Sequence, residues 1–358
     1  MKIFTFFIPL IIIAPLAALP ASCSPGKDGG VWRSSDQAAT WEQKVVISQK
    51  QSLAAANILN IAIDPLSDNI LYLGTEGDGL FKSIDGGESW YALSAKDTEF
   101  KNNASIYRLS IDQRNTNLIY AAVFQDDFGR VFKSQDAGKN WLEIYRSSRS
   151  GYAVLTVEAD LREGATIYIG TAEGGLLKSF DGGASWRALK WFDGGVFDVK
   201  IDTNNSQILY VGVKDRGIFK SVDGGNNWQE LNSAKSFWET GSLDSLVMDK
   251  KNTTTLYAAS KTGLLRTVDG GQAWQRVNII TPPESVAISA IAIDPNMSYI
   301  LYYGAGNVIY KSQDGGATWS VRAIDTDKDI SNIVVNYRNS NILFAGMNKN
   351  GRGSFLNF

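Results

Sequence analysis

Ser83-Ile-Asp-Gly-Gly-Glu-Ser-Trp90 is one of seven copies of a motif that decides the fold of this chain. The motif, here termed the Asp box, reads Ser or Thr, any residue, Asp, any residue, Gly, any residue, a small polar residue, Trp. It returns after about forty to fifty residues each time, a period typical of propeller blades. Its aspartates and tryptophans are Asp36 and Trp41, Asp85 and Trp90, Asp136 and Trp141, Asp181 and Trp186, Asp223 and Trp228, Asp269 and Trp274, and Asp314 and Trp319.

Each residue type in the box has a structural reason. Glycine pairs such as Gly86-Gly87 allow the positive φ that a tight turn between strands needs. The Asp and Ser side chains can bond the turn backbone, and the tryptophan offers a large surface to bury between blades. Removing a buried one should cost about 3–5 kcal/mol. The copies that depart from the pattern have Ala38 and Ala137 at glycine positions and Asn140, Asn227 and Ala273 at the Ser/Thr position.

A second pattern precedes boxes two to seven: an aspartate is followed eight residues later by a tyrosine. Alternating apolar segments such as Ile61–Ile63, Ile70–Leu73 and Gly79–Ser83 surround each pair, so every repeat holds four antiparallel strands. Because a catalytic residue is needed only once, we expect these repeated aspartates to cap turns. The pairs are Asp64 and Tyr72, Asp112 and Tyr120, Asp160 and Tyr168, Asp202 and Tyr210, Asp249 and Tyr257, and Asp294 and Tyr302.

The two ends of the chain are predicted to share one blade. The first box has only third and fourth strands around it, whereas Asn332–Tyr337 and Asn341–Gly346, after the last box, match first and second strands. Such a join removes exposed sheet edges. Gly30–Ser34 and Gly353–Asn357 both resemble the third strand of this blade, and the sequence leaves the choice open. The fold class is therefore all-β, a seven-bladed propeller over residues 31–358.

The N-terminus reads as a targeting segment. Lys2 precedes an apolar run, Ile3–Leu19, and small residues stand directly before Cys23. This pattern resembles a bacterial lipoprotein signal, which predicts a signal peptide at 1–22, a lipid on Cys23 and a short tether at 23–30. The protein would then be exported and anchored to the cell membrane or the outer membrane. The alternative is ordinary cleavage, which would leave a secreted protein with a free thiol.

The composition excludes several classes of site. The chain of 358 residues contains no histidine and one cysteine, and its formal net charge is −2. The commonest general base is thus missing, as are zinc sites built on several thiolates and disulfides within the chain. No basic excess points to nucleic acid. We expect no metal, no cofactor and a monomer.

The Asp boxes make the chain similar to the BNR/Asp-box superfamily across essentially its whole mature length. Such propellers occur in sialidases, xyloglucan-active endoglucanases, the sortilin ectodomain and the photosystem II assembly-factor family. The single seven-bladed ring with an export signal most resembles the assembly factors. This resemblance implies a non-catalytic chaperone of a membrane complex. Sialidases have six blades, and the endoglucanases resemble two clamped rings with an acid on each. The box itself does not decide activity.

Function is expected where the sevenfold symmetry breaks, on the face opposite the boxes. Three loops there are unusual: Phe124–Arg130, which is longer than its equivalents, Trp191–Asp193 and Phe237–Glu239, each of the last two with paired aromatics and an acid. Aromatic pairs of this kind can anchor a protein partner or stack on a sugar; alternatively they seal blade junctions. The binding candidates are Phe124, Arg130, Trp191, Phe192, Phe237 and Trp238. For a hydrolase, the candidate acids are Asp126, Asp127, Asp193 and Glu239.

A ring of residues near the start of the first strands should face the central channel by strand alternation. Arg108 and Asp198 are its charged members and further binding candidates. In the neighbouring register, Glu158 and Lys200 stand in consecutive blades, and an ion pair between them is expected. The ring comprises Asn60, Arg108, Thr156, Asp198, Ser245, Ala290 and Asn332.

These observations favour an exported, lipid-anchored propeller that binds a protein or assembles a membrane complex without catalysis. The alternative is a glycan-binding or glycoside-hydrolase propeller that uses the loop aromatics and acids.

Overall fold

The computed structural model describes residues 29–48, 51–93, 100–160, 162–163, 165–231, 233, 243–282 and 285–349. Its strands form seven four-stranded antiparallel sheets and one small hairpin. The innermost strand of each sheet contacts the innermost strands of both neighbouring sheets, which closes the ring. The predicted seven-bladed propeller is therefore confirmed. Blades are numbered here by the Asp box that they carry.

Strand bounds are given from the centre of each blade outward. Blade 1 contains β29 (Asp329–Val335), β30 (Leu343–Asn348), β1 (Val31–Ser34) and β2 (Glu42–Gln43). The small hairpin, β3 (Val46–Ser48) and β4 (Gln51–Ser52), follows. Blade 2 contains β5 (Ile58–Ile63), β6 (Leu71–Thr75), β7 (Leu80–Ser83) and β8 (Tyr91–Ala92), and blade 3 contains β9 (Ser105–Ile111), β10 (Ile119–Gln125), β11 (Phe128–Ser134) and β12 (Leu142–Arg146).

The remaining blades repeat this order. Blade 4 contains β13 (Val154–Ala159), β14 (Ile167–Thr171), β15 (Gly175–Ser179) and β16 (Arg187–Trp191), and blade 5 contains β17 (Val196–Ile201), β18 (Leu209–Val213), β19 (Gly217–Ser221) and β20 (Gln229–Glu230). Blade 6 contains β21 (Leu243–Met248), β22 (Leu256–Ser260), β23 (Gly263–Thr267) and β24 (Gln275–Arg276), and blade 7 contains β25 (Ile288–Ile293), β26 (Leu301–Ala305), β27 (Val308–Ser312) and β28 (Ser320–Ala323).

Blade 1 joins the two ends of the chain. Strand β1 pairs with β30, with Val31 opposite Gly346 and Ser34 opposite Leu343. The N-terminal segment therefore supplies the third strand of this blade, a choice that the sequence left open. The competing segment, 353–357, lies outside the described residues.

The ring has two faces, which follow from the strand order. The Asp boxes and the turns from first to second strand lie on one face, the box face. The second-to-third connections and the blade-to-blade connections lie on the opposite face, the loop face. Because β1 is a third strand that runs toward its box, the chain enters the ring at Gly29 on the loop face.

Apolar side chains fill the spaces between blades. In one such cluster, Leu71, Leu73 and Trp90 of blade 2 pack with Val31 and Phe344 of blade 1. This interleaving makes each blade depend on its neighbours for burial.

Blades also approach closely through their backbones. A Cβ atom built on Gly74 would lie 2.6 Å from the Ile106 carbonyl oxygen of the next blade, which explains a glycine within a strand.

No helix within the described ranges is both long enough and apolar enough to cross a membrane.

Candidate functional site

The Asp box forms a closed set of hydrogen bonds around its turn. In the second copy, the Ser83 hydroxyl donates to Asp85 Oδ1 at 2.7 Å and accepts the Gly87 amide at 2.9 Å. The Ser89 amide and hydroxyl donate to the same carboxylate. All seven boxes share the first contact, at 2.7 to 2.9 Å. The box carboxylates are therefore occupied in holding turns.

These bonds explain why the box aspartates are stabilised as anions. The side-chain and backbone hydrogen bonds of Ser185, with the Ser179 hydroxyl, lower the pKa of Asp181 to about 2. In the first and third boxes, Ala38 and Ala137 adopt φ values of 70° and 58° at positions where other copies have glycine. The turn geometry is thus kept even where the residue changes.

The boxes also connect neighbouring blades. Lys82 Nζ and the Tyr72 hydroxyl of blade 2 both donate to the Ala137 carbonyl in the box of blade 3, at 3.0 and 3.2 Å. Lys133 and Lys220 make the same contact with the boxes of the following blades. These three lysines, each directly before the serine of its own box, and Tyr72 therefore act between blades.

The aspartates that precede the tyrosines cap the turns after the first strands. Each accepts the backbone amide two residues later at 2.8 to 2.9 Å, and Asn336 does the same in blade 1. Asp160 also accepts the Ser206 hydroxyl of the next blade at 2.9 Å. This is the arrangement that their repetition predicts.

The Phe124–Arg130 segment differs from its prediction as a long loop. Strands β10 and β11 are extended, with Gln125 paired with Phe128, and only Asp126 and Asp127 form the turn. Both turn residues have positive φ, 51° and 65°, as a two-residue hairpin turn requires. The additional residues therefore lengthen the hairpin. Phe124 packs against a buried apolar cluster and is only partly exposed.

Ion pairs occupy the charged residues at this hairpin. Buried Arg130 contacts Glu143 at 2.7 Å and Asp126 at 3.2 Å, and Lys101 contacts Asp126 at 2.6 Å. The Lys101 hydrogen bond lowers the pKa of Asp126. Arg130 was expected as a binding residue, but its guanidinium already holds the blade-3 hairpin together.

The Trp191–Asp193 segment separates into an exposed and a buried aromatic. Trp191 ends the outermost strand of blade 4 and is 56% exposed. Phe192 is buried against Phe219 of blade 5, with ring centroids 4.8 Å apart, which agrees with the alternative that these aromatics seal a blade junction. Asp193 is exposed and contacts Arg216 at 3.3 Å. The other expected aromatic pair and its acid, Phe237, Trp238 and Glu239, lie outside the described residues, as does Cys23.

A central cavity of about 310 Å³ lies inside the ring of innermost strands. Its lining extends to Pro65, Lys250 and Tyr337 in the first-to-second-strand turns, so it opens on the box face. Thr156 and Ala290 of the predicted ring are buried and do not line it. The five ring members that do are Asn60, Arg108, Asp198, Ser245 and Asn332.

A charged cluster lies in this cavity. Asp198 Oδ1 contacts Arg108 Nη2 at 3.1 Å and Lys200 Nζ at 2.6 Å, and the Asp198 side chain is 1% exposed. The predicted pair of Lys200 with Glu158 is therefore replaced by a pair with Asp198. The reason is strand alternation: residues two apart on one strand point to the same side.

Glu158 is a second acid beside this charged cluster. It forms no ion pair or hydrogen bond with the described residues, and burial raises its pKa although Lys200 and Arg108 lie nearby. At the mouth, Lys250 Nζ lies 3.4 Å from the Tyr337 hydroxyl and 4.7 Å from the centre of its ring.

Lys250 and Tyr337 were not among the residues singled out from the sequence. Each directly follows a turn-capping residue, Asp249 or Asn336, and only blades 6 and 1 have a cation or an aromatic there. That break in the repeat was a signal available in the sequence. Within the described ranges, no three acidic, histidine or cysteine side chains are grouped to hold a metal ion.

Two family models match different halves of the chain. Residues 29–173 match the model of sortilin, neurotensin receptor 3, and residues 192–342 match that of the photosynthesis system II assembly factor YCF48. A xyloglucanase, Xgh74A of Acetivibrio thermocellus, is 28% identical over 167 residues, 45% of this chain. The matched region spans only 16% of that enzyme's length.

Solved structures share the fold at low identity. The GH74 xyloglucanase from Xanthomonas campestris superposes with a TM-score of 0.71 at 16% identity, over 86% of this chain and 52% of that one. YCF48 bound to D1 peptide gives 0.62 at 15% identity, over 81% of this chain and 93% of that one. Each of the two family models matches less than half of the chain. The seven boxes, the ring and both matches show that this chain belongs to the BNR/Asp-box superfamily of β-propellers.

Proposed function

We propose that this propeller is an exported, lipid-anchored module that binds a protein partner through its loop face. The point at which the chain enters the ring carries this proposal. Gly29 lies on the loop face, and an extended chain from Cys23 to Gly29 spans at most about 20 Å. A lipid on Cys23 would therefore hold the loop face close to the membrane, where a membrane-embedded partner is within reach.

The loop face offers a suitable anchor for such a partner. Trp191 is 56% exposed beside the Asp193–Arg216 pair. Exposed tryptophans flanked by charged residues are common centres of binding energy in protein interfaces. The blade-3 hairpin adds a second surface on this face, held rigid by Arg130 and Glu143.

Two of the candidate acids on this face, Asp126 and Asp193, are poorly suited to glycoside hydrolysis. A general acid needs a raised pKa, whereas the pKa of Asp126 is lowered by Lys101. Asp193 is exposed and paired with Arg216. One fold neighbour, YCF48, has been solved bound to D1 peptide, and we propose a peptide ligand for this propeller as well.

Glycan binding is the second candidate, and Trp191 is again the observation that favours it. An exposed indole can stack on a sugar ring, and several sequence relatives are xyloglucanases. Under this alternative, Trp191 would contact a polysaccharide instead of a protein.

Partner capture from detergent-solubilised membranes tests the proposal. The full chain is compared with Trp191→Ala and with Phe180→Ala, whose side chain is equally exposed, at 56%, but lies in a box on the opposite face. We expect one membrane protein to be captured by the full chain and by Phe180→Ala, and to be lost with Trp191→Ala. Loss of capture with Phe180→Ala alone would place the interface on the box face and contradict the proposal.

Two further measurements separate the alternatives. Saturable binding of xyloglucan oligosaccharides that Trp191→Ala abolishes, without any captured protein, would replace the proposal by the glycan function. Hydrolysis abolished by Asp193→Asn with Glu239→Gln would make the protein an enzyme. Cys23→Ser should move the protein from the membrane fraction to the soluble exported fraction, and retention in the membrane would contradict the anchor.

A further inference from the structure

We infer that the central cavity is a second binding site, on the box face, for a small carboxylate that also carries hydroxyl or ammonium groups. This inference is independent of the loop face and of the proposed protein partner. It concerns a ligand of the size of an amino acid or a sugar acid.

The inner wall of the cavity is asymmetric although the blades are repeats. At the second inward position of the innermost strands, blades 4 and 5 contribute Glu158 and Lys200. The same position in blades 6, 7, 1 and 2 is small or apolar: Val247, Ala292, Val334 and Ala62. A structural requirement of the fold would recur in every blade. At this level a charged wall faces a small or apolar wall, and such asymmetry is typical of a site that orients a ligand.

The charged wall carries cations beside two acids that do not cap turns. The cavity lining as a whole holds four cations and six acids. Four of those acids accept backbone amides in the first-to-second-strand turns: Asp160, Asp202, Asp249 and Asp294. Arg108, Lys200 and Lys250 face Asp198 and Glu158 around one cavity. Asp198 holds two of the three cations, but Arg108 uses only its Nη2 group in that contact. Its Nε and Nη1 groups have no hydrogen-bond partner among the described residues. A guanidinium with free donors beside an ammonium is well suited to a carboxylate.

The same cavity contains acceptors without donors. Glu158 has no hydrogen-bond partner in the part of the chain that the structure describes. Asn332 lines the cavity, is 7% exposed, and has no partner for its Oδ1 atom. Buried polar groups are nearly always satisfied in folded proteins. Hydroxyl or ammonium groups on the ligand would supply the missing donors.

The size and opening of the cavity fit this ligand class. Its volume of about 310 Å³ lies at the lower end of the range of small-molecule pockets, roughly 300–1,000 Å³. Lys250 and Tyr337 stand at the mouth, where a cation and an aromatic ring can guide an anion inward.

Isothermal titration calorimetry on the full chain tests the inference with three probes. Glutamate represents amino carboxylates, galacturonate represents sugar acids, and galactose is the neutral counterpart of galacturonate. We expect one or both carboxylates to bind at one site per chain with Kd below about 1 mM, and galactose to bind at least about tenfold more weakly. Which carboxylate binds identifies the source of the ligand.

Matched variants locate the site. Glu158→Gln keeps the side-chain shape but removes the charged acceptor, and Lys250→Gln removes an exposed cation at the mouth. Each should weaken binding at least about tenfold. Glu230→Gln in the outermost strand of blade 5 and Lys261→Gln on the loop face of blade 6 should leave it unchanged.

Three results would overturn the inference. These are no binding of either carboxylate at about 10 mM, galactose binding as tightly as the carboxylates, or binding that neither Glu158→Gln nor Lys250→Gln weakens. Lys250 is exposed, so its variant remains informative even if Glu158→Gln fails to fold.

Discussion

Arg108 of blade 3 and Asp198 of blade 5 form an ion pair of 3.1 Å that spans the intervening blade. Lys200 binds the same carboxylate oxygen from its own strand at 2.6 Å. One buried carboxylate thus neutralises two cations that the ring brings together. The two partners of the long-range pair therefore differ in what their loss would leave behind.

Asp198→Asn should destabilise the protein more than Arg108→Gln. The first variant leaves two largely enclosed cations without the carboxylate that both contact, and only Glu158 lies nearby. We expect this to cost about 3–5 kcal/mol of unfolding free energy. The second leaves Asp198 paired with Lys200 and should cost about 1–2 kcal/mol. Urea unfolding followed by tryptophan fluorescence measures both. Asp193→Asn, at an exposed ion pair, is the control and should change little; equal losses in the two cavity variants would contradict the cluster.

Acid should unfold the propeller through its boxes. Hydrogen bonds from Asn227, Thr318 and Ser185 lower the pKa of Asp223, Asp314 and Asp181 from 3.8 to about 2. A carboxylate with a lowered pKa in the folded state stabilises the fold above its unfolded pKa. That stabilisation is lost as the pH falls from about 4 toward 2.

Thermal unfolding measured between pH 7 and pH 2 checks this expectation. Ser185→Ala removes the leading hydrogen bond to Asp181, so part of the acid-sensitive stability should already be missing at neutral pH. Ser35→Ala, an exposed position of the first box, is the control. A melting temperature that stays constant down to pH 2 would show that the boxes do not carry this stability.

Two serines should contribute to closing the ring. Ser331 Oγ donates to the Ile58 carbonyl of blade 2 at 2.6 Å, and Ser289 Oγ donates to the Ile330 carbonyl of blade 1. Both side chains are buried. Ser331→Ala and Ser289→Ala should each lower the unfolding free energy by about 1–3 kcal/mol, because a buried carbonyl loses its donor. Urea unfolding measures the change, and values as small as that of Ser35→Ala would argue against the role.

The box tryptophans should not be equivalent. Trp90 is 1% exposed and its Nε1 donates to the Lys44 carbonyl at 2.9 Å, whereas Trp319 is only partly buried. Trp90→Ala should therefore cost about 3–5 kcal/mol, and Trp319→Ala clearly less. Urea unfolding of both variants measures the two losses of unfolding free energy. Equal costs would mean that partial exposure does not reduce the contribution of a box tryptophan.

The architecture could be predicted well because its signals are local. Turn chemistry in the box, the capping role of residues such as Asp64, and strand alternation all act within a few residues. The shared closing blade followed from counting strands at the two ends. Strand limits were less accurate: Asn332–Tyr337 and Asn341–Gly346 were expected, whereas Asp329–Val335 and Leu343–Asn348 are observed.

The candidate site was predicted less well, because it depends on which side chains remain accessible. Trp191 and Phe192 are adjacent in sequence, yet Phe192 is buried against Phe219 and Trp191 stays exposed. Arg130 was a binding candidate, but its guanidinium pairs with Glu143 on the neighbouring strand. The sequence shows that such residues break the repeat, but it does not show which contacts their side chains already make.

The sequence by itself determined the number of blades, the position of every box and the joining of the two ends, because each depends on a repeated local pattern. Only the tertiary structure decided that Arg108 of blade 3 meets Asp198 of blade 5, and that these residues line a cavity on the box face together with Lys200 and Glu158. Those contacts depend on how the seven blades are arranged around one axis. That arrangement brings together side chains that are many residues apart in the sequence, and no local pattern encodes it.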